Sequence, residues 1–143
     1  MPNFRKLARH LAKADIDFDT MNCKVLLVSS VPSEANLDAW EDRADVTNEI
    51  TGTGYTAGGI AQAYTLDAFD DTNNRQPITY TDIVNGWTSA TFGARGCIIY
   101  KDTGSAATDL LLHFEDFGST VNCTAGNFSI THSTKFYINA EAA

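Results

Sequence analysis

Phe4, Leu7, Ala8, Leu11 and Ala12 recur at i, i+3, i+4, i+7 and i+8. This spacing puts apolar side chains on one stripe of a helix of about three turns. Asn3 is placed to cap it, and Arg5, Lys6, Arg9 and Lys13 take the other faces. The period then changes. Ile16 and Phe18 alternate with Asp15, Asp17 and Asp19, a period of two that predicts a strand. Residues 23–28 read as a buried strand, and Asn36 starts a short helix through Trp40. Residues 46–50 and 60–66 alternate again and read as strands. Residues 77–84 form a strand whose Pro77 suits an edge or a strand start. Asn85-Gly86 tolerates positive φ at both positions and predicts a type I′ hairpin, with residues 87–92 returning. Gly93 and Gly96 bracket either a second turn or a bulge in one long strand. Residues 97–101, 110–117, 127–132 and 136–139 complete the series.

About nine or ten short strands after one helix, with no helices alternating between them, disfavour a parallel α/β sheet. The expected fold is mainly β: an antiparallel β-sandwich or jelly-roll-like barrel preceded by a short N-terminal α-helix. The 143 residues, 43% hydrophobic and 10% aromatic, suit one domain. Threonine, at 17 residues, supports the strand reading. The expected division is a basic amphipathic helical arm over residues 1–14 and a single β-sandwich domain over residues 15–143. The string from Thr51 to Gly59 carries four glycines, Gly52, Gly54, Gly58 and Gly59, which predicts a tight turn or a close approach of backbones.

The net charge is −8, which disfavours a sequence-independent nucleic-acid binder, since that needs a basic face. The charge is uneven. The first 14 residues hold four basic side chains and no acidic one, while all 18 acidic side chains follow. A basic arm on an acidic body points to a docking role or to solvation of one helix. No apolar run approaches the roughly 20 residues of a membrane span, so no membrane association is expected. The basic start lacks the apolar stretch of a secretory signal. Three separated cysteines, Cys23, Cys97 and Cys123, fit free thiols in a reducing cytoplasm and offer no zinc pattern.

Candidate chemistry is sparse. No nucleophile elbow, zinc-protease or phosphate-loop motif occurs. His113 and His132 would approach each other if their strands paired, and a site with Asp116 is conceivable, although two sheet-surface imidazoles are the plainer expectation. None of the cysteines lies in the basic, helix-start setting that activates a thiol. Asp15, Asp17 and Asp19 resemble the opening of a calcium loop, but Thr20 stands where glycine is needed and Leu26 where Glu is needed. These carboxylates form either a solvated face or one that meets a cation or a partner's basic residues. Trp40, Trp87, Phe92 and Tyr100 read as core or interface aromatics. No constellation specifies an enzyme, a metal or a cofactor.

Longer strings carry more. Residues 45–59, DVTNEITGTGYTAGG, together with Ile98-Ile99-Tyr100-Lys101-Asp102-Thr103-Gly104, Asp116-Phe117-Gly118-Ser119, Ile16-Asp17-Phe18-Asp19 and Lys24-Val25-Leu26-Leu27-Val28, resemble a group of small virion structural proteins of tailed bacteriophages. The similarity spans about residues 15–138. It implies a capsid decoration, or cement, protein made in the host cytoplasm and bound to the outer surface of the major capsid protein lattice. A dimer or trimer at capsid symmetry positions is the expected self-assembly. The surface expected to meet the partner is Phe4, Arg5, Lys6, Leu7, Arg9, Leu11 and Lys13, with the apolar stripe on a neighbour and the cations on acidic capsid surface. On that view, deleting residues 1–14 leaves a folded domain that binds shells less well. The alternative is a tail, baseplate or fibre-associated component, with Trp87, Tyr55 and Tyr64 forming a carbohydrate-binding surface.

Overall fold

A computed structural model describes residues 2–139. It is mainly β, with two antiparallel sheets and a short N-terminal helix, the architecture of a β-sandwich. The elements in chain order are α1 (Leu7–Ala12), β1 (Cys23–Val28), α2 (Glu34–Ala39), a 3-10 turn (Arg43–Asp45), β2 (Ile60–Gln62), β3 (Tyr64–Leu66), β4 (Arg75–Tyr80), β5 (Ile83–Lys101), β6 (Leu111–Ile130) and β7 (Phe136–Asn139). One sheet has the order β2-β1-β5-β6 and the other β3-β4-β7.

The four-stranded sheet is covered on both faces, and this explains its unbroken apolar runs. Val25, Leu27, Cys97 and Ile99 pack towards the smaller sheet, meeting Ile78, Tyr80 and Phe136. Leu26, Val28, Ile98, Tyr100 and Phe114 point the other way, into a second core closed by Phe4, Leu37 and Trp40. Every residue from Val25 to Val28 is fully buried. The covering layer is built locally. Ser33 Oγ accepts a hydrogen bond from Asn36 N–H and starts α2. The cap is therefore Ser33, three residues before the Asn36 read from the sequence, and the following turn buries Leu37 against the sheet.

The N-terminal arm is corrected by its burial. Phe4 is 1% and Leu7 3% exposed, so the stripe expected to dock on a neighbour closes the chain's own cores. Phe4 stacks on Trp40 with ring centroids 6.3 Å apart. The backbone from Pro2 to Phe4 adds to the β6 edge: Phe4 N–H donates to the Leu112 carbonyl at 3.1 Å and Phe114 N–H to the Pro2 carbonyl at 2.9 Å. Asn3 bridges to His113 and does not cap α1, whose N-cap is Lys6. Residues 2–14 therefore belong to the β domain, and their removal would open two cores.

Several strands differ in extent from the sequence reading. Residues 15–19 bury Ile16 and Phe18 as the alternation predicts, but among the described residues they pair with no strand. Residues 46–50 contribute only an isolated bridge between Glu49 and Val28. Residues 60–66 split at Ala63 into β2 and β3, which belong to different sheets. Pro77 sits in β4, the central strand of the smaller sheet. Its carbonyl accepts from Asp67 N–H at 3.1 Å, just past the end of β3, so the missing donor falls beyond the β3 ladder.

Asn85-Gly86 is not a hairpin. It is a bulge inside the 19-residue β5, where Asn85 takes φ 52°. The Gly93–Gly96 stretch resolves to the bulge alternative, one long strand with a register shift between Ala94 and Gly96. Likewise the two strands read over residues 110–132 are the single strand β6. The positive φ that a tight turn requires is used here to bend a long ribbon.

Candidate functional site

The basic side chains of the N-terminal arm, with Asp15 and Asp17, have partners within the chain. Arg5 forms ion pairs with Glu34 and, at 2.5 Å, with Asp38. Lys6 Nζ donates to the Ala39 carbonyl at 2.7 Å and lies 3.3 Å from Glu41. Arg9 approaches Glu41 at 4.0 Å, and Lys13 reaches Asp15 at 3.2 Å. Leu11 packs partly buried beside Leu7. The four cations expected to meet a partner's acids meet the acids of the body. Asp15 also faces His10 Nδ1 at 2.9 Å, and Asp17 accepts from Thr20 Oγ1 at 2.7 Å and from Asp19 N–H at 2.9 Å. These contacts hold both carboxyls below their ordinary range. Among the described residues, no group of three His, Cys, Asp or Glu side chains has metal-binding geometry.

The two histidines come together, but inside the sandwich and without Asp116. His113 is fully buried between Phe136 and Tyr80, with ring centroids at 4.5 and 4.9 Å. Among the described residues, neither of its ring nitrogens has a hydrogen-bond partner. Burial, with the charge of His132 adding to it, pushes its pKa down to about 3. His132 turns back from the end of β6. Its Nδ1 meets Glu115 Oε2 at 2.6 Å and its Nε2 meets Gln62 Oε1 at 3.0 Å. Ser133 adds N–H and hydroxyl donors to Glu115 Oε1 at 2.9 and 3.0 Å. Burial alone pushes the Glu115 carboxyl up, but the contacts with His132 and Ser133 hold it below its usual value. The network ties β2, β6 and the approach to β7 at one corner of the sandwich. Residues 62, 115 and 132 are too far apart in sequence for any spacing to reveal it. The surface-imidazole expectation is thus overturned for both rings. Asp116 lies outside the network and holds Arg95 in a two-point ion pair at 2.7 and 3.0 Å.

Two of the three thiols, Cys23 and Cys97, are buried, whereas Cys123 is half-buried. Burial pushes Cys23 up to about 12 and raises Cys97. A groove of about 740 Å³ runs between residues 18–24 and 61–66. Its Gln62 amide donates to the Ala63 and Thr81 carbonyls, and its Tyr64 hydroxyl donates to the Met21 carbonyl. Of the aromatics expected to bind sugar, Trp87 is 3% exposed and lies under Tyr55, Phe92 and Phe128. The indole face is therefore inside the molecule, while Tyr55 and Tyr64 are half-buried.

What remains is a surface that sequence motifs do not flag. No Asp, Glu, Lys or Arg occurs in residues 83–94 or in residues 117–131. The fold pairs these two runs as the distal half of the β5–β6 ribbon, from Ile83↔Ile130 to Ala94↔Val121. The Arg95–Asp116 pair marks where charge resumes. Register shifts and left-handed residues (Ser89 at φ 49°, Ala125 at φ 46°) curl the ribbon over Trp87, Phe92 and Phe128. The glycine string braces this curl from beneath. Thr91 N–H donates to the Thr53 carbonyl at 2.9 Å. A Cβ on Gly52 would meet the Thr91 carbonyl at 2.6 Å, so close approach of backbones is its role.

The ribbon's outer side exposes Thr88, Ser89, Thr91, Asn122, Thr124, Asn127 and Ser129, with Val84 and Val121 exposed at 77% and 42%. β6 is the last strand of its sheet, and the N-terminal segment covers it only at residues 112–114. From Asp116 onward β6 pairs with β5 alone among the described residues. Beside this edge lies a hollow of about 280 Å³ lined in part by Phe117, Val121, Phe128 and Ile130. The absence of charge was legible in the sequence, whereas the joining of the two runs into one surface required the pairing.

Searches against protein-family models, curated proteins and solved structures find no match to this chain.

Proposed function

We propose that this chain is a virion structural protein of a tailed bacteriophage, acting as a capsid decoration protein that binds the outer surface of the major capsid protein lattice. The observation that carries the proposal is the uncharged ribbon on an acidic body. Such a body offers a fixed protein-binding surface in place of a reactive centre. Association with protein favours surfaces depleted of charge at their centre. Repetition on a symmetric lattice turns modest contacts into strong attachment. The sandwich is stiff because its larger sheet is buried on both faces, and stiffness limits the ordering cost of binding. The resemblance over residues 45–59 and 98–104 gives the phage context.

The test is a reconstruction of purified particles, with protein counting by mass spectrometry. The expected result is this chain on the outer face of the shell in copy numbers on the order of hundreds, as icosahedral repetition requires. A copy number near one to two dozen, with density on the tail, would reassign it to a tail, baseplate or fibre role. Absence from finished particles would remove the structural assignment altogether.

A further inference from the structure

The bulge at Asn85-Gly86 carries a chemistry of its own. We infer that it is a self-modification site: in the folded, free chain the Gly86 backbone nitrogen attacks the Asn85 side-chain carbonyl, and the residue becomes aspartate or isoaspartate with loss of ammonia. This goes beyond shell binding and holds whether or not the chain decorates a shell. Of the ten asparagines, Asn85 alone precedes glycine. Ring closure brings the next backbone nitrogen onto Cγ, an approach that a side chain on the next residue crowds and glycine leaves clear. Asn85 is exposed. Its backbone N–H donates to Ser129 Oγ at 2.8 Å, whereas its side-chain amide makes no hydrogen bond among the described residues. The amides of Asn48 and Asn73, by contrast, are held by Ser30 and Asp70. The ladder sets Ile83 opposite Ile130 and Trp87 opposite Phe128, and the register shift between them leaves Val84, Asn85 and Gly86 without cross-strand partners among the described residues.

Packing keeps the labile pair in place. A Cβ on Gly86 would strike Ile83 Cγ2 and come within 2.7 Å of Ile60 Cδ1, so the site demands glycine. Asn85 lies in the left-handed region at φ 52°, which asparagine and aspartate tolerate best among residues with a side chain. The bend of the ribbon therefore selects the two residues that react. In the first step a bond forms between Gly86 N and Asn85 Cγ. The Cγ–N bond of the side-chain amide breaks, and the proton lost by Gly86 leaves with the ammonia, so the product is a five-membered cyclic imide. In the second step water opens the imide, its hydroxyl going to one carbonyl carbon and its proton to the nitrogen. Opening at Cγ gives aspartate, and opening at the main-chain carbonyl gives isoaspartate. Nothing is oxidised or reduced, and water is the co-reactant. Either product places a carboxylate in the otherwise uncharged residues 83–94, beside the exposed Val84. Isoaspartate also lengthens the backbone by one methylene where Gly86 packs against Ile60.

The experiment incubates the purified full chain in mildly alkaline buffer, with circular dichroism to show that it stays folded, and maps its peptides by mass spectrometry over a time series. The expected result is conversion of the peptide holding Asn85 ahead of every other asparagine peptide. That peptide becomes heavier by the difference between a hydroxyl and an amino group, one ammonia is released for each chain converted, and an isoaspartate-specific methyltransferase labels the same peptide. Asn85→Gly keeps the left-handed backbone and has no amide to lose, so it should fold as the wild type and release no ammonia over the same period. A synthetic peptide of residues 82–90 gives the rate of the unrestrained bond. An unchanged Asn85 in the folded chain after that peptide has converted would overturn the inference, because the strand would then hold the bond shut. Earlier conversion at another asparagine, or equal ammonia release from Asn85→Gly, would overturn it as well.

Discussion

Replacement of His113 by leucine should flatten the acid limb of stability. The ring is fully buried, with both nitrogens unpartnered among the described residues, and its pKa is pushed down to about 3 by that burial, against an ordinary value of about 6.5 when unfolded. The folded ring therefore stays neutral while the unfolded one takes a proton. A depressed folded pKa gives stability that is complete above the unfolded pKa and lost as pH falls below it. Between pH 7.5 and pH 4.5 this single group should remove about 3 kcal/mol of unfolding free energy. His113→Leu has no proton to bind, so it should lose about that much less over the same interval. At pH 7.5 the variant should be as stable as the wild type or more so, because two unsatisfied buried polar atoms disappear. Urea unfolding of both proteins at the two pH values, followed by tryptophan fluorescence, measures the difference. Equal losses in the two proteins would show that His113 is not the buried neutral group described, and the packing assigned around Phe136 and Tyr80 would fall with it.

Three further outcomes are expected. Phe4→Ala should destabilise the domain by about 3–5 kcal/mol, as for a large aromatic in a closed core; a change under about 1 kcal/mol in denaturant midpoint analysis would return the N-terminus to the status of a free arm. Arg43→Leu should cost about 3 kcal/mol, because it strips the ion-pair partner, at 2.8 Å, from the fully buried Asp109. The loss should shrink in acid, since burial opposes ionisation of Asp109 while the Thr103 donors and Arg43 hold its pKa below the ordinary carboxylate value. Gly59→Ala should cost about 3 kcal/mol or more, since Gly59 has φ 69° and its added carbon would strike the Val25 carbonyl; a melting point within a degree of wild type would contradict the close approach.

The sequence was most readable where one physical cause acts alone. The runs Val25–Val28 and Cys97–Tyr100 declared strands, the first of them buried, and the absence of alternation within both reflects burial of both faces. The stripe Phe4, Leu7 and Leu11 declared an apolar face, but the pattern says only that the face is covered, not by what. The chain's own β6 edge and Trp40 cover it. Asn85-Gly86 was misread because its backbone preference is shared by turns and bulges, and what decides between them is the distant pairing with Ser129 and Phe128. The Glu115–His132–Gln62 network and the neutral ribbon arise from tertiary folding of segments that no local rule links. The missing charge at residues 83–94 and 117–131 could have been noticed, yet only their pairing makes it one surface.

The pairing of β1 with β5 fixes a timetable for synthesis. Cys23 lies opposite Lys101 and Val28 opposite Gly96, so the apolar β1 segment waits through some seventy further residues of translation for its central neighbour, a rough count that places the fold among those dominated by non-local contacts. Until β5 leaves the ribosome, β1 is an unshielded sticky strand, and β6 must follow before the second core can close over Phe4 and Phe114. Nascent chains are therefore exposed to aggregation for most of their production, and yield in a heterologous host should respond more to slower translation and chaperone supply than to surface substitutions.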